Sequence, residues 1–290
     1  MWLILKPVSE TAVDNVKRMK GIYFIRPVPS RVSFGELWRV RWMFLSLVRT
    51  SALLPYSETR FGYLWTLLRP FIFLSVIVFI KHRSGGQVGQ EIQYPLYVYS
   101  GLVLWWYTVD AIKASARSPF TYKGLITKIY YPRVITPAIP VLGRLFDLAI
   151  QGAGILFMML LYWQFPGKNF WLLPVALLNV LLLALALGYL FAVAIVAFRD
   201  AERVLDYLLY IGLFLSPVLY SPVIIPEEYR ALYAWLNPTV GPLTAFRAAL
   251  FADVRMDYQP LVASLVVSFV LLVAGVSVFQ RAQARFAEKM

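Results

Sequence analysis

Six long apolar stretches between residues 61 and 280 constrain the fold of this chain more than any other feature. They lie at about residues 61–80, 94–116, 134–164, 170–198, 204–221 and 261–280. A hydrocarbon core about 30 Å thick needs about 20 residues of helix to cross it, and most of the stretches reach that length. The mean hydropathy of +0.67 and the hydrophobic share of 60% agree with a membrane environment. The sequence therefore predicts an all-α membrane protein with six transmembrane helices.

Positive charges are distributed unevenly between the two sides of these predicted spans. Most of the 28 Lys and Arg residues lie in the arm before residue 61, in the loops after the second and fourth spans and in the tail. The alternate loops hold only Lys81, Arg83, Lys168, Arg230, Arg247 and Arg255. The positive-inside rule therefore predicts that both termini are cytoplasmic, as six spans also require. Topology and anionic headgroups account for the net charge of +13, so membrane lipids and not nucleic acids are the expected partners.

The arm before the first span contains a segment with helical periodicity, at residues 33–50. Ser33 and Glu36 form a capping-box pattern that predicts where this helix begins. Its apolar residues fall on one face, and Trp38 and Trp42 accompany several arginines. The pattern predicts an amphipathic helix that lies in the cytoplasmic membrane interface. The alternative is a solvated linker helix, which the tryptophans disfavour.

In two of the predicted spans, individual residues indicate the local geometry or packing of the helix. Arg69 and Pro70 lie about half-way along the first span, where a charge is expensive and proline interrupts the hydrogen-bond ladder. We expect a kink there, with Arg69 turned toward protein or water. In the fourth span Ala184, Gly188 and Ala192 recur every four residues and predict a smooth ridge for close helix packing.

Opposite charges occur three residues apart in two other spans. These are Asp110 with Lys113 in the second span, and Arg144 with Asp147 in the third. Side chains at this spacing share one helix face, so each pair is predicted to neutralise itself. The pairs either line a polar substrate path or lock helices together, and the sequence leaves both interpretations open.

The region 222–258 differs from the other loops. Its two apolar pieces, at about residues 227–236 and 240–251, are too short to cross a bilayer and are separated by Asn237 and Pro238. Re-entrant or interfacial helices on the outer side fit this pattern. Such backbone is tolerated only where protein or water covers it, so this hairpin is expected to cap a cavity.

Few residues suit catalysis. The chain has one histidine, His82, on a predicted outer loop, and no cysteine. It lacks the GxxxxGK[ST] phosphate-binding loop, so it does not bind ATP by that route. A membrane-embedded glycosyl or acyl transferase is the competing class of function, and it would need titratable groups that converge at one membrane surface. The acids of the outer loops lie mainly around the hairpin, where a polar rim accounts for them.

Several short segments, in this order, resemble the ABC-2 type permeases that export polysaccharides. The segments are Phe61-Gly-Tyr-Leu-Trp-Thr-Leu-Leu-Arg-Pro70, Leu125-Ile-Thr-Lys-Ile-Tyr-Tyr-Pro-Arg133 leading into Asp147, Arg199-Asp200, Ser216-Pro217-Val-Leu-Tyr220, Ile225-Pro226 and Asn237-Pro238. The resemblance covers the chain from about residue 33 to its end. It is carried by the ordered set, since each segment alone is weak.

This resemblance implies a homodimer with six spans in each chain, paired with two copies of a separate ATP-binding ABC subunit. Such a complex moves a lipid-linked polysaccharide, as in O-antigen, capsule or teichoic acid export, from the cytoplasm across the bacterial plasma membrane. The permease is then not an enzyme and binds no cofactor, because ATP and Mg are bound by the partner subunit. The alternative within the family is export of a drug or a simple lipid.

The resemblance also implies where the functional regions lie. A cytoplasmic arm at residues 1–60 precedes the permease domain at 61–280, and a tail follows at 281–290. A coupling loop at 118–133 docks on the ATP-binding subunit, and an outer gate is formed by 222–251. The expected coupling residues are Tyr122, Lys123, Lys128, Tyr130, Tyr131 and Arg133. The expected gate residues are Pro226, Asn237 and Pro238.

Aromatic residues make up 16% of the chain and several lie within spans. Interfacial belts explain many of them. Rings also suit sugars, because the apolar face of a pyranose stacks on them. We therefore expect a translocation path between the subunits, while simple packing between helices remains the alternative for each ring. The expected path residues are Tyr63, Trp65, Arg69, Tyr207, Tyr210 and Phe214.

Overall fold

The structure is a computed structural model that describes residues 34–57, 60–84, 93–128, 131–252, 254 and 256–283. The part of the predicted N-terminal arm before residue 34, Tyr130 and the end of the tail lie outside the described residues, and so does the Lys128 side chain. All described residues belong to one unit of the chain, Arg31–Met290. Within them the secondary structure is entirely helical, as predicted.

Twelve α-helices are described, numbered here in chain order. They are α1 Phe34–Arg39, α2 Arg41–Ser57, α3 Leu64–Ser84, α4 Tyr94–Thr121, α5 Lys123–Lys128, α6 Ala138–Gly143, α7 Leu145–Leu161, α8 Leu172–Ala197, α9 Ala201–Leu215, α10 Glu227–Leu236, α11 Val240–Leu250 and α12 Tyr258–Ala282. Short 3₁₀ turns at Arg133–Ile135, Lys168–Trp171 and Pro222–Ile224 join some of them.

Four described segments are long and apolar enough to cross a membrane. They are Leu64–His82, Arg133–Leu161, Lys168–Ala197 and Tyr258–Ala282, which correspond to the first, third, fourth and sixth predicted spans. The second and fifth predicted spans differ. Helix α4 has 28 residues but is less apolar, and α9 has only 15 residues. Most of α4 is buried among other helices, which explains how it tolerates polar residues that a lipid-facing helix would not.

The core forms around α4 and α8, which pack against each other. Helix α8 also packs against α11 and α12. The predicted ridge on α8 is confirmed, since Ala184, Gly188 and Ala192 are all buried. A methyl group added at Gly188 would collide with the Ser115 side chain of α4. The two helices therefore approach as closely as small residues allow.

The helical segment before the first span is longer than predicted. Helix α1 ends at Arg39, Val40 forms a turn, and α2 continues to Ser57 instead of ending near residue 50. Packing explains the extension, because α2 lies against α6 with Ser51 close to Gly143. Trp38 and Trp42 of this segment are exposed.

Candidate functional site

Charged side chains of α4 pair with neighbouring helices. Arg69 of α3 donates to Asp110 with an N–O distance of 2.8 Å, and Lys113 lies 2.7 Å from the carboxylate of Asp206 in α9. The prediction that Asp110 and Lys113 neutralise each other on one helix is therefore wrong. Each side chain finds an opposite charge on another helix, because α3 and α9 both pack against α4.

A third pair extends this line of charges, since Arg117 of α4 donates to Glu202 of α9. Lys113 pairs with Asp206. Arg117, four residues later on α4, pairs with Glu202, which lies four residues earlier on α9. The two helices therefore run antiparallel. Residues 110, 113 and 117 share one face of α4, so the paired charges form a polar strip along it.

Arg69 is turned toward protein, as predicted. Its guanidinium lies 3.7 Å from the centroid of the Trp106 ring and also pairs with Asp110. The side chain is 45% exposed, so it remains accessible from one side. Helix α3 continues through Pro70 as one helix. The aromatic ring and the carboxylate therefore both stabilise this cation.

A second polar cluster joins α2, α3 and α7. Arg144 donates to Asp147 at 2.8 Å, which confirms the predicted pair. The hydroxyl of Tyr56 also donates to Asp147 and lies 3.0 Å from the Thr66 hydroxyl oxygen. Burial, followed by the hydrogen bond to Asp147, raises the pKa of Tyr56 to about 12. The Tyr56 ring stacks 4.4 Å from that of Tyr63, so an expected path residue adjoins this cluster.

Helix α9 buries one narrow stripe and exposes the rest. The buried residues are Leu205, Leu209 and Leu213. The expected path residues Tyr207, Tyr210 and Phe214 lie outside this stripe and are more than half exposed. Trp65 of α3 is also exposed. The exposed rings of Trp65 on α3 and of Tyr207, Tyr210 and Phe214 on α9 thus belong to two helices that both pack against α4.

The predicted coupling loop folds into two parts. The first part is the short helix α5, which follows Tyr122 at the end of α4. The Ser51 side chain of α2 interacts with the Tyr122 hydroxyl, so α2 contacts the start of the loop. Lys123 begins α5 and is exposed.

The second part of the loop packs inward. Tyr131 is 3% exposed, and its hydroxyl lies 3.0 Å from that of Thr136. Arg133 donates to the backbone carbonyl of Gln283 at the end of α12. These two expected coupling residues therefore hold the loop against the helix bundle, while Lys123 faces outward.

The predicted hairpin at 222–251 does form two short helices, α10 and α11. Pro226 directly precedes α10, and Asn237 and Pro238 lie between the two helices. The hairpin is fastened to the end of α9 at the carbonyl oxygen of Leu215, which has no partner in its own helix. Tyr233 donates to this oxygen at 2.6 Å and Asn237 at 3.1 Å.

Asn237 organises the turn between α10 and α11. Its amide oxygen accepts hydrogen bonds from the backbone N–H and the hydroxyl of Thr239. The two hydroxyl oxygens of Thr239 and Ser216 are 2.8 Å apart. The turn is therefore joined to the point where α9 ends, and Asn237 contributes both a donor and an acceptor there.

Arg247 of α11 is a feature that the sequence interpretation missed, because it was counted only as an outer-loop charge. It is 2% exposed and donates to the hydroxyl of Tyr97 at 2.7 Å and to the carbonyls of Pro217 and Val218. Its guanidinium lies 3.5 Å from the centroid of the Tyr97 ring. A charge inside an apolar segment too short to span was the signal that could have revealed it.

The acidic side chains of the described residues mainly form ion pairs, and their arrangement does not resemble a catalytic or metal centre. In the described part of the chain, no three His, Cys, Asp or Glu side chains are grouped so that they could hold a metal ion. Asp110, Asp147, Glu202 and Asp206 each face an Arg or Lys side chain. The arrangement places paired polar groups among apolar helices, which suits passage or helix coupling better than bond-making chemistry.

Comparison with known proteins gives consistent similarities. A family model described as ABC-2 type transporter matches residues 43–251. The chain is 31% identical over 257 residues to the O-antigen export system permease protein RfbA of Myxococcus xanthus, covering 88% of this chain and 98% of that protein. It is 24% identical to an O-antigen export system permease protein RfbA of Klebsiella pneumoniae, over 80% of this chain and 89% of the relative. It is 26% identical to the polysialic acid transport protein KpsM of Escherichia coli, over 73% and 80%.

Proposed function

The chain belongs to the ABC-2 type transporter family, and on that premise we propose that it is the permease subunit of an ABC transporter that exports a polysaccharide. The observation that carries this proposal is the similarity over 98% of the length of an O-antigen export permease. A relative named for polysialic acid transport points to the same class of cargo. The protein is a multi-pass inner-membrane protein and a transport component. The finer proposal is that the polysaccharide is linked to a lipid when it crosses.

We further propose six spans, with α4 as the second and α9 as the beginning of the fifth. Helix α4 has 28 residues, which is about 42 Å at 1.5 Å per residue and long enough to cross. The antiparallel pairing of α4 and α9 supports this topology, because the second and fifth of six alternating spans run in opposite directions. Both termini are then cytoplasmic, in agreement with the distribution of positive charge.

A separate ATP-binding subunit supplies the energy in this proposal, because the chain lacks a phosphate-binding loop. It docks on the loop at 118–133. Lys123 and Lys128 offer the charges for that contact, and Tyr131 and Arg133 hold the loop against the helix bundle. The interaction of Ser51 with the Tyr122 hydroxyl links the loop to α2, and we propose that it passes motion of the loop to that helix.

The polysaccharide path is proposed to lie between two copies of the chain. Exposure supports this assignment, because Tyr207 and Tyr210 are 69% and 67% exposed in the single chain and are free to face a partner or a cargo. The partly exposed pair of Arg69 and Asp110 adds hydrogen-bonding groups on α3 and α4. The hairpin at 222–251 then closes the outer end of the path.

Export by cells that contain both subunits of the complex tests the proposed function. The permease and the ATP-binding subunit from the same organism are placed in the membrane of cells that make the organism's polysaccharide but lack their own copy of the permease. We expect polysaccharide at the cell surface only when both subunits are present and the ATP-binding subunit can hydrolyse ATP. A permease with Lys123→Glu and Lys128→Glu should insert normally but lose most of the surface polysaccharide.

The matched control is Lys168→Glu, a charge reversal on a predicted outer loop that should leave export unchanged. Normal export by the double variant would refute the proposed docking loop. Lack of polysaccharide export by the unmodified complex, together with export of a drug or simple lipid, would refute the proposed function.

A further inference from the structure

The backbone between α9 and the hairpin is not helical, and side chains satisfy its carbonyl groups. Arg247 donates to the carbonyls of Pro217 and Val218 at 2.6 and 2.9 Å. Tyr94 and Tyr97, near the start of α4, donate to the next two carbonyls, those of Leu219 and Tyr220. We call residues 217–220 the unwound segment. Non-helical backbone within a membrane requires such partners, because lipid offers none.

Arg247 and the start of α4 are fitted to each other closely. A methyl group added at Gly101 would collide with the Arg247 guanidinium and the Val218 carbonyl oxygen. The Tyr97 hydroxyl accepts a hydrogen bond from Arg247 and donates one to the backbone carbonyl of Tyr220. The Arg247 and Tyr97 side chains therefore form one connected network with the unwound segment. Each polar group in the network supports the next.

The two helices of the hairpin differ sharply in burial. In α11 every residue except Thr244 is buried, whereas in α10 only Ala234 is. Their arginines differ in the same way. Arg230 of α10 is 40% exposed and donates to the carbonyls of Val223 and Ile225, which lie in its own half of the hairpin.

We propose that Arg247 is a positioning residue that fixes α11 and the unwound segment to the outer end of α4 as one rigid unit, so that α10 alone moves when the outer gate opens. This inference rests on the proposed gate function of the hairpin. It divides the predicted gate at 222–251 into a fixed half and a mobile half.

The energetic argument is the cost of separating Arg247 from its partners. Withdrawal of α11 would strand a buried cation and leave the carbonyls of Pro217 and Val218 without donors in a medium of low polarity. Movement of α10 carries no such cost, because Arg230 and its acceptors move together. The hydrogen bonds that must stretch or break are those from Tyr233 and Asn237 to Leu215, the one from Asn237 to Ser216 and the one between the Tyr220 and Tyr233 hydroxyls.

Amide hydrogen exchange on the permease assembled with its ATP-binding subunit tests this division. In the unmodified complex we expect α11 to exchange at least tenfold more slowly than α10. Arg247→Gln should raise exchange in α11 at least tenfold and lower export, while Arg247→Lys, which keeps the charge but not the planar fork, should restore part of both. The matched control Arg230→Gln should leave α11 exchange unchanged.

Cysteine pairs provide a second test in a protein that retains Arg247, so this test does not depend on the folding of the Arg247 variants. The chain has no native cysteine. Ser216 directly precedes the unwound segment and Thr239 directly precedes α11, and their hydroxyl oxygens are 2.8 Å apart. A disulfide between Ser216→Cys and Thr239→Cys therefore ties these two fixed parts together without holding α10, and it should leave export at its normal rate. A short bifunctional thiol reagent between Tyr220→Cys and Tyr233→Cys should tie α10 down and block export until it is cleaved.

Equal exchange in the two helices, an unchanged α11 in Arg247→Gln, or a blocked export by the first disulfide would each overturn the proposal. The exchange contrast does not depend on what is transported. If the unmodified complex moves no polysaccharide but α11 stays protected through Arg247, the proposed function fails and the rigid unit stands.

Discussion

The Tyr56 hydroxyl joins three helices at one point, since it donates to Asp147 of α7 and lies within hydrogen-bond distance of Thr66 of α3. We expect Tyr56→Phe to lower the free energy of unfolding by about 1–2 kcal/mol, because it removes a hydrogen bond to a charged acceptor. The measurement is thermal or denaturant unfolding of the purified permease. An exposed tyrosine, Tyr258, provides the control, and Tyr258→Phe should have little effect.

The pH dependence of the difference in unfolding free energy between the wild type and Tyr56→Phe checks the raised pKa of Tyr56. The pKa of Tyr56 is about 12 in the folded protein and 10.0 ordinarily, so the folded state holds the proton more tightly. The stability that Tyr56 contributes is therefore fully present below pH 10 and is lost as the pH rises through 12. The difference in free energy of unfolding between the wild type and Tyr56→Phe should shrink over that window, and a constant difference would contradict the pKa rise caused by burial and the hydrogen bond to Asp147.

At the same scale, the sequence predicted charge pairs only where both partners lie on one helix. Arg144 and Asp147 pair as their spacing indicates. Asp110 and Lys113 have the same spacing, yet they pair with α3 and α9 because opposite charges on those helices come within 2.8 Å. Local spacing shows which charges share a face. It does not show which neighbouring helix packs on that face.

At the scale of elements, the contact between α4 and α8 depends on the absence of a side chain at Gly188. We expect Gly188→Ala to lower the free energy of unfolding by about 1–3 kcal/mol, because the added methyl group collides with Ser115. Gly152→Ala in α7 is the matched control, since nothing lies within 4 Å of a methyl group placed there. Unfolding of the two variants in the same detergent provides the measurement.

A compensating change separates packing from helix propensity. Ser115→Gly should recover part of the stability that Gly188→Ala loses, because it vacates the space into which the methyl group projects. Equal stability of Gly188→Ala and Gly152→Ala would contradict the close packing of α4 and α8.

The sequence predicted the presence of the helices better than the residues at which they end. The physical reason differs between α9 and α2. Helix α9 ends at Leu215, although the fifth apolar stretch continues to residue 221. Pro217 already indicated this end, because the residue before a proline avoids helical geometry. Helix α2 runs to Ser57 because it packs against α6, and no local pattern encodes that contact.

At the scale of the whole molecule, the exposed face of α9 is the structural feature that supports the proposal of a polysaccharide path between two chains. The aromatic content of the sequence suggested Tyr207, Tyr210 and Phe214 as path residues, and in the structure α9 buries only its leucine stripe. Which surface each ring faces in a dimer is set by the partner chain, so neither the sequence nor a single chain determines it. Function must therefore be measured in the assembled complex.

A polymer that crosses hydrocarbon must be shielded and must also slide, so the wall of its path should offer many contacts of similar and modest strength. Stacking on an aromatic ring meets this need, since each ring adds about 0.5–1.5 kcal/mol beyond its buried area. We expect a Tyr207→Leu and Tyr210→Leu double variant to slow polysaccharide export severalfold with assembly and ATP hydrolysis retained, because leucine preserves apolar packing but offers no flat face to a sugar. The control is Phe157→Leu with Phe269→Leu, which removes two rings exposed on α7 and α12. An equal export rate in the two double variants would show that α9 does not line the path.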